Sequence, residues 1–285
     1  MAVKKKKKAI KVPQIIKVAS KSLSYISTPL AAKFALNLFD KPMKFVMPKR
    51  EWEMERQAKQ YDIILPKCCK SIHVYEYGEG QKNVLLIHGW NGRGTQLVTI
   101  ANAFKEKGYK IISFDAPGHG KSPNNRSIMT NFIEAAFELE KIYKTFDVVV
   151  GHSLGGMSAI NAVSRGLNCK QLISISAGDV IDDVISEFTQ VLGMNNKVAP
   201  VLKEAFENKY QERVENYTVS NQLKKIEQPV LIIHDKFDKE VPFYAGESLA
   251  KNINKGSFFF TEHLGHQKIL GDEKVIQQIL AFCTS

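Results

Sequence analysis

Beyond residue 70, short apolar runs alternate along the chain with longer segments in which apolar residues recur at helical spacing. The runs are rich in Val, Ile and Leu, which is typical of strands buried on both faces. Strands are predicted at residues 72–77, 84–87, 110–114, 148–150, 172–176, 230–233 and 257–261, and helices at residues 95–107, 128–144, 154–165, 242–252 and 275–282. This alternation predicts an α/β protein with a mostly parallel sheet covered by helices.

Residues 1–70 follow a different pattern and are predicted to form a basic N-terminal extension. After a lysine run, apolar residues at helical spacing indicate amphipathic helices, at Ile15, Ile16, Ala19, Leu23 and Ile26, and after Pro29 at Leu30, Phe34 and Leu38. Two interpretations fit this pattern. The helices pack on the domain behind a solvated lysine tail, which we prefer, or residues 1–39 make peripheral contact with an anionic membrane.

The basic charge of the chain is confined to this extension. The formal net charge is +11, but residues 1–70 hold 17 Lys and Arg against 5 Asp and Glu, which leaves 23 against 24 in residues 71–285. Phosphate binding requires a basic surface, so nucleic-acid binding by residues 71–285 is not expected.

The cysteines and the N-terminus bear on the compartment. The spacing of the cysteines fits neither a zinc site nor a dense disulfide framework, and these cysteines are Cys68, Cys69, Cys169 and Cys283. Lys and Ser interrupt the apolar residues that follow the lysine run, so neither a signal peptide nor a membrane span is predicted. We therefore expect a cytoplasmic protein, with peripheral membrane association as the alternative for its extension.

The polar and glycine-rich motifs follow the predicted strands. They are HGWNGRG (residues 88–94), DAPGHGKS (115–122), GHSLG (151–155), HDKFDKEVP (234–242) and HLGH (263–266). In an open parallel sheet the carboxyl ends of the strands lie at one edge, where ligands bind. The motifs are therefore predicted to meet at that edge.

The motif around Ser153 has the Gly-X-Ser-X-Gly spacing of a nucleophile elbow, between a predicted strand and a predicted helix. The turn of such an elbow is so sharp that side chains two positions before and after the serine would collide with neighbouring backbone. Gly151 and Gly155 meet this requirement. The serine hydroxyl is then exposed at the start of a helix, whose positive end favours a nearby anion.

On these motifs, taken in order, the chain resembles the α/β-hydrolase family, and its esterase-like and lipase-like members in particular. The resemblance covers residues 71–285. It implies an eight-stranded, mostly parallel sheet with a small helical cap, inserted at about residues 178–228. It also implies Ser-His-acid chemistry, with apolar residues of the insertion as candidates to line an acyl pocket, namely Phe188, Leu192, Met194, Val198 and Leu202. The same residues would alternatively only pack the insertion together.

The candidate triad is Ser153 as nucleophile, His266 as base and Asp238 as the acid that orients the imidazole. Their order along the chain is the order of nucleophile, acid and base in this fold. The backbone N–H of Leu154 is one candidate oxyanion donor, and the resemblance implies the N–H of Trp90 as the other.

Other residues of these motifs have structural interpretations or remain alternatives. Asp235 and Asp179 are alternative acids, although the Val-Pro that follows Asp238 fits the family pattern. A structural role is expected for His88, His119, His152 and Asp115. His263 is a less favoured base than His266, because it lacks the Gly-His context.

The predicted function is hydrolysis of a small or medium carboxylic ester or thioester through an acyl-enzyme intermediate. The substrate is thus a small molecule, and no cofactor or metal is implied, because the mechanism needs none and no ligand cluster is visible. The alternatives are a lyase or perhydrolase that uses the same triad, and a non-catalytic, membrane-associated protein of the same fold.

Overall fold

The computed structural model describes residues 12–284 and contains a sheet of eight strands in the order β1-β2-β4-β3-β5-β6-β7-β8. The strands are β1 (Lys59–Leu65), β2 (Lys70–Tyr77), β3 (Lys82–Ile87), β4 (Tyr109–Asp115), β5 (Phe146–His152), β6 (Cys169–Ile175), β7 (Val230–Asp235) and β8 (Gly256–Thr261). β2 pairs antiparallel with both β1 and β4, and all other neighbours are parallel. The parallel part therefore has its carboxyl ends at one edge.

Helices connect the strands and extend the chain at both ends. They are α1 (Gln14–Ile26), α2 (Thr28–Phe39), α3 (Trp52–Gln57), α4 (Val98–Glu106), α5 (Met129–Tyr143), α6 (Leu154–Val163), α7 (Ile181–Val191), α8 (Val198–Tyr210), α9 (Val219–Leu223), α10 (Phe243–Lys251), α11 (Gly265–Lys268) and α12 (Glu273–Thr284). Among the described residues no helix is both long enough and apolar enough to cross a bilayer.

Both faces of the central strands are buried, because consecutive residues of a strand point to opposite faces. On one face, Val84, Leu86, Val148 and Val150 belong to the same core as apolar residues of α4 and α12, such as Phe104 and Ile279. The intervening residues of these strands, Leu85, Ile87 and Val149, are equally buried. The near-continuous apolar sequence of these strands follows from this two-sided burial.

The chain forms two compact units. One, here called the helical unit, consists of residues 12–39 together with Ile181–Asn216, and the other contains the sheet. Within the helical unit α2 packs on α8, and the ring of Phe39 makes edge contacts with Phe188 (5.1 Å) and Phe206 (5.7 Å). Asn195 donates its backbone N–H to Ser24 Oγ at 3.2 Å and its side-chain amide to the Ser24 carbonyl. The N-terminal helices and the insertion are thus one packed structure.

β1 lies within residues 1–70, the predicted N-terminal extension, and the apolar pattern does not predict this strand. It pairs with β2 only, at the edge of the sheet, and most of its residues are exposed or half-buried. Its sequence, KQYDIIL, is correspondingly mixed. The domain boundary at residue 70 and the cap insertion at residues 178–228 stay predictions.

Candidate active site

Ser153 occupies the sharp turn between β5, which ends at His152, and α6, which begins at Leu154. Its backbone has φ 55° and ψ −121°, which is strained for a residue with a side chain. A Cβ on Gly151 would collide with the carbonyl oxygen of Gly155, and one on Gly155 would collide with that of Ile87. The two glycines therefore allow the turn that presents the serine at the carboxyl edge of the sheet.

His266 and Asp238 form a buried hydrogen-bonded pair beyond the ends of β7 and β8. His266 Nδ1 lies 2.8 Å from Asp238 Oδ2, and the side chains are 5% and 0% exposed. The other oxygen, Oδ1, accepts the backbone N–H groups of Glu240 (2.8 Å) and Val241 (3.0 Å). Burial acts to raise the pKa of Asp238. The hydrogen bond to His266, the charge of His266 and these N–H groups outweigh burial and lower the pKa.

The elbow contacts the His266 loop through its own histidine. His152 Nε2 lies 3.0 Å from the carbonyl oxygen of His266, and the centroids of the two rings are 4.6 Å apart. Burial lowers the pKa of His152 to about 3, so the ring is neutral at pH 7 and Nε2 is the donor of this bond. The structure thereby brings the segment that carries the candidate base against the segment that carries the candidate nucleophile.

The second ring nitrogen of His266, Nε2, is the atom that would act as the base. Within residues 12–284 no hydrogen bond joins it to Ser153 Oγ, a bond that in many enzymes tightens only when substrate is bound. The nitrogen instead lies 3.9 Å from Oε2 of Glu240, whose side chain is 50% exposed. Sequence reasoning did not single out Glu240, because a lone acidic residue in a polar loop carries no distinguishing signal.

The loop after β3 adjoins the nucleophile. An added Cβ on Gly89 would lie 3.1 Å from Ser153 Cβ, so the backbone before Trp90 passes directly beside the serine. Gln96 Oε1 accepts the Gly89 N–H at 3.0 Å and fixes this turn. The Leu154 N–H belongs to the first turn of α6, where N–H groups have no partner within the helix. The positions of both candidate oxyanion donors are thus adjacent to Ser153.

The alternative acids are held by other groups. Asp235 accepts the N–H groups of Phe237 and Leu264, each at 2.9 Å, and the Thr261 hydroxyl at 2.8 Å. Asp179 accepts the Ser220 N–H at 2.8 Å and the Ser248 hydroxyl at 2.6 Å. These bonds organise loops around the site, whereas Asp238 contacts His266.

The remaining residues of the motifs form a buried polar network under the loops. His88 Nε2 accepts the Ala116 N–H at 3.1 Å, so its Nδ1 carries the proton and donates to the Gly89 carbonyl at 2.7 Å. Asp115 accepts the N–H groups of Gly94 (2.6 Å) and Lys121 (2.7 Å). Burial lowers the pKa of His88 well below its ordinary value and that of His119 to about 4, which keeps both rings neutral.

The five candidate pocket residues lie in the helical unit. Leu192, Met194, Val198 and Leu202 are buried, and the ring of Phe188 contacts Phe39. Their role in an acyl pocket stays a prediction. Across the described residues there is no group of three or more His, Cys, Asp or Glu side chains arranged to hold a metal ion.

Comparisons with known proteins show which proteins the chain is similar to. The sequence profile of the Hydrolase_4 family, described as "Serine aminopeptidase, S33", matches residues 78–218. The AB hydrolase superfamily protein YisY of Bacillus subtilis (strain 168) is 22% identical over 255 residues, which is 74% of this chain and 94% of that relative. The chain is an α/β-hydrolase.

Over a shorter part of the chain, the sequence identity to a protein described as a lipase is higher than the identity to YisY. Over 94 residues, 32% of this chain and 29% of the relative, the chain is 33% identical to the sn-1-specific diacylglycerol lipase ABHD11 of Xenopus tropicalis. The crystal structure of a Pyrococcus furiosus esterase superposes with a TM-score of 0.66 at 16% identity and covers 86% of this chain and 98% of that one. The predicted family and the predicted eight-stranded fold are confirmed. The protein is a serine hydrolase of the α/β-hydrolase superfamily with esterase-like and lipase-like relatives.

Proposed function

We propose that this α/β-hydrolase cleaves a small or medium carboxylic ester or thioester through an acyl-enzyme intermediate. The observation that carries the proposal is the pairing of His266 Nδ1 with Asp238 Oδ2 at 2.8 Å, in a loop that contacts the elbow of Ser153. The backbone of Ser153 is strained, and the side chains of His266 and Asp238 are buried, as is expected where a fold holds groups for chemistry.

The proposed steps follow from the roles of the groups. His266 Nε2 removes the proton of Ser153 Oγ as this oxygen attacks the ester carbonyl, and Asp238 stabilises the imidazolium that forms. The N–H groups of Leu154 and Trp90 bind the oxyanion, and each donor typically contributes about 10²–10³ in rate. His266 then protonates the leaving group, and water attacks the acyl-enzyme by the same route and releases the acid.

The printed descriptions of the relatives support an ester as substrate. One is described as a diacylglycerol lipase and another as an esterase. The matching family is described as an aminopeptidase, so amide cleavage by the same acyl-enzyme route is the second candidate. The insertion suits a small or medium acyl group, with Phe188, Leu192, Met194 and Val198 as proposed lining. A lyase, a perhydrolase or a non-catalytic protein remains an alternative, and cytoplasmic location remains part of the proposal.

Labelling with a fluorophosphonate probe tests the proposal. The probe should modify Ser153, and the wild type should hydrolyse p-nitrophenyl esters with a preference for one range of chain lengths. Ser153→Ala should abolish both labelling and hydrolysis, whereas Ser158→Ala, on the same helix, should retain both. Labelling that persists in Ser153→Ala, or a labelled protein that cleaves neither esters nor amides, would contradict the assignment.

A further inference from the structure

Helix α1 presents its apolar side chains outward. Ile15, Val18, Tyr25 and Ile26 are between 59% and 79% exposed. Their spacing of three, ten and eleven residues from Ile15 places them on one face of the helix, here called the α1 apolar face. A helix that faced only water would have polar residues at these positions.

The fully buried residues of α1 lie on its opposite face, and both are polar. Ser20 and Ser24 are the buried residues of this helix, and Ser24 is bonded to Asn195 of the insertion. In contrast, α2 packs through small and apolar side chains, namely Ala31, Ala32, Ala35 and Leu36. Packing therefore accounts for these buried side chains of α2 but not for the side chains of the α1 apolar face.

The charge around α1 indicates what covers its apolar face. Residues 1–39 contain nine lysines and no acidic residue. Lys21 is exposed and lies one turn before Tyr25, at the border of the apolar face. An apolar stripe bordered by Lys21, in a segment whose only charged residues are lysines, complements the surface of an anionic bilayer, where acyl chains lie directly beneath negative headgroups.

We propose that the α1 apolar face inserts into the surface of an anionic lipid bilayer, with the lysines of residues 1–39 contacting the headgroups. α1 has 13 residues and is too short to span a bilayer, so it lies in the plane of the interface. Because Ser24 is bonded to the insertion and α2 packs on α8, this contact also anchors α7 and α8 at the lipid surface.

Co-sedimentation of the full chain with vesicles tests the proposal without any assay of catalysis. Vesicles of phosphatidylcholine with phosphatidylglycerol should bind the chain at least about tenfold more strongly than vesicles of phosphatidylcholine alone. Raising the salt from about 0.1 M to about 1 M shortens the screening length from about 10 Å to about 3 Å and should release most of the protein.

Matched variants separate the apolar contribution from the charge. Ile15→Ser/Tyr25→Ser/Ile26→Ser should weaken binding to the anionic vesicles at least about tenfold, because it removes the inserting side chains. Ile64→Ser changes an isoleucine of β1 that is 72% exposed, close to the 79% of Ile26, and should bind like the wild type. Circular dichroism and the melting temperature confirm that each variant is folded.

Three results would overturn the proposal. The full chain fails to bind anionic vesicles; the triple variant binds as well as the wild type; or Ile64→Ser weakens binding as much as the triple variant. If the chain instead forms a dimer that the triple variant dissolves, a second copy covers the face and the lipid surface does not. Catalysis enters none of these readouts, so loss of the proposed esterase activity would leave this result unaffected.

Discussion

Asp238 differs from the neighbouring carboxylates in the atoms that its oxygens contact. Asp235 and Asp179 accept bonds from backbone and hydroxyl groups, whereas one oxygen of Asp238 faces a ring nitrogen of His266. All three aspartates follow predicted strands, so sequence position alone left the choice of acid open. The Val-Pro after Asp238 favoured this residue, and in the structure its contact with His266 distinguishes it from the other two.

The role of Asp238 gives a prediction for kcat. Asp238→Asn should lower kcat by up to about 10⁴ with little change in KM, because the amide no longer stabilises the imidazolium or enforces the tautomer. Asp179→Asn is the matched control, since an amide can still accept the Ser220 N–H, and its kcat should stay near wild type. A large loss of kcat in Asp179→Asn with little loss in Asp238→Asn would show that Asp179, and not Asp238, is the acid. Ester hydrolysis under saturating substrate is the measurement.

The buried histidines give a prediction for stability against pH. Burial lowers the pKa of His119 to about 4 from an ordinary value near 6.5, so between these values the unfolded chain binds a proton that the folded chain does not. The contribution of His119 to the free energy of unfolding is therefore fully present above about pH 6.5. It declines as the pH falls, by about 2 kcal/mol at pH 5.

Urea unfolding at pH 7 and pH 5 measures this effect. In His119→Gln the decrease in unfolding free energy should be smaller than in the wild type by about that amount. His263→Gln, which changes an exposed ring stacked on Phe237, should keep the wild-type decrease. Equal decreases in wild type and His119→Gln would show that His119 does not contribute.

At the scale of elements, the burial of a strand decides whether the apolar pattern of the sequence can locate it. The central strands are buried on both faces and read as Val, Ile and Leu runs, so the apolar pattern locates them. β1 is an edge strand with exposed residues and leaves no such run. The contact between Ser24 and Asn195 joins residues 171 positions apart, and no local pattern encodes it. For the same reason the predicted apolar pattern of α1 differs from the face that is exposed: it shares Ile15 and Ile26 with the α1 apolar face, whereas its Ile16 and Leu23 are half-buried.

The sharp turn of the elbow requires a glycine at residue 151, and Gly151→Ala tests that requirement. The new methyl group would collide with the Gly155 carbonyl, so either β5 or α6 must shift. We expect a loss of about 1–3 kcal/mol in stability and a large loss of fluorophosphonate labelling at Ser153. Chemical denaturation and the labelling rate measure the two effects.

Gly178→Ala is the control for this substitution. Its added methyl group would meet only the side chain of Met157, at 3.4 Å, which is ordinary contact. Stability and labelling should therefore stay near wild type. If Gly151→Ala is as well tolerated as Gly178→Ala, steric exclusion does not explain the glycine of the elbow.

At the scale of the whole molecule, the N-terminal helices and the insertion share one helical unit although the sheet sequence separates them. The α/β-hydrolase motifs predicted the sheet and the order of the site residues, because both depend on local sequence. The composition of the helical unit depends on contacts such as Phe39 with Phe188 and Phe206, which join distant segments. The insertion is therefore expected to depend on residues 12–39 for its packing.

Deletion of residues 1–39 tests this dependence. It removes Phe39 and the buried face of α2, which exposes Phe188 and Phe206, so the insertion should open more often. Limited proteolysis should cut within residues 181–216 at least about tenfold faster than in the full chain, since cleavage follows the population of the open form. Deletion of residues 1–11 is the control, because it removes six of the nine lysines and retains every described contact of α1 and α2. That shorter chain should resist protease like the full chain, and equal cleavage rates in all three chains would show that the insertion packs without the N-terminal helices.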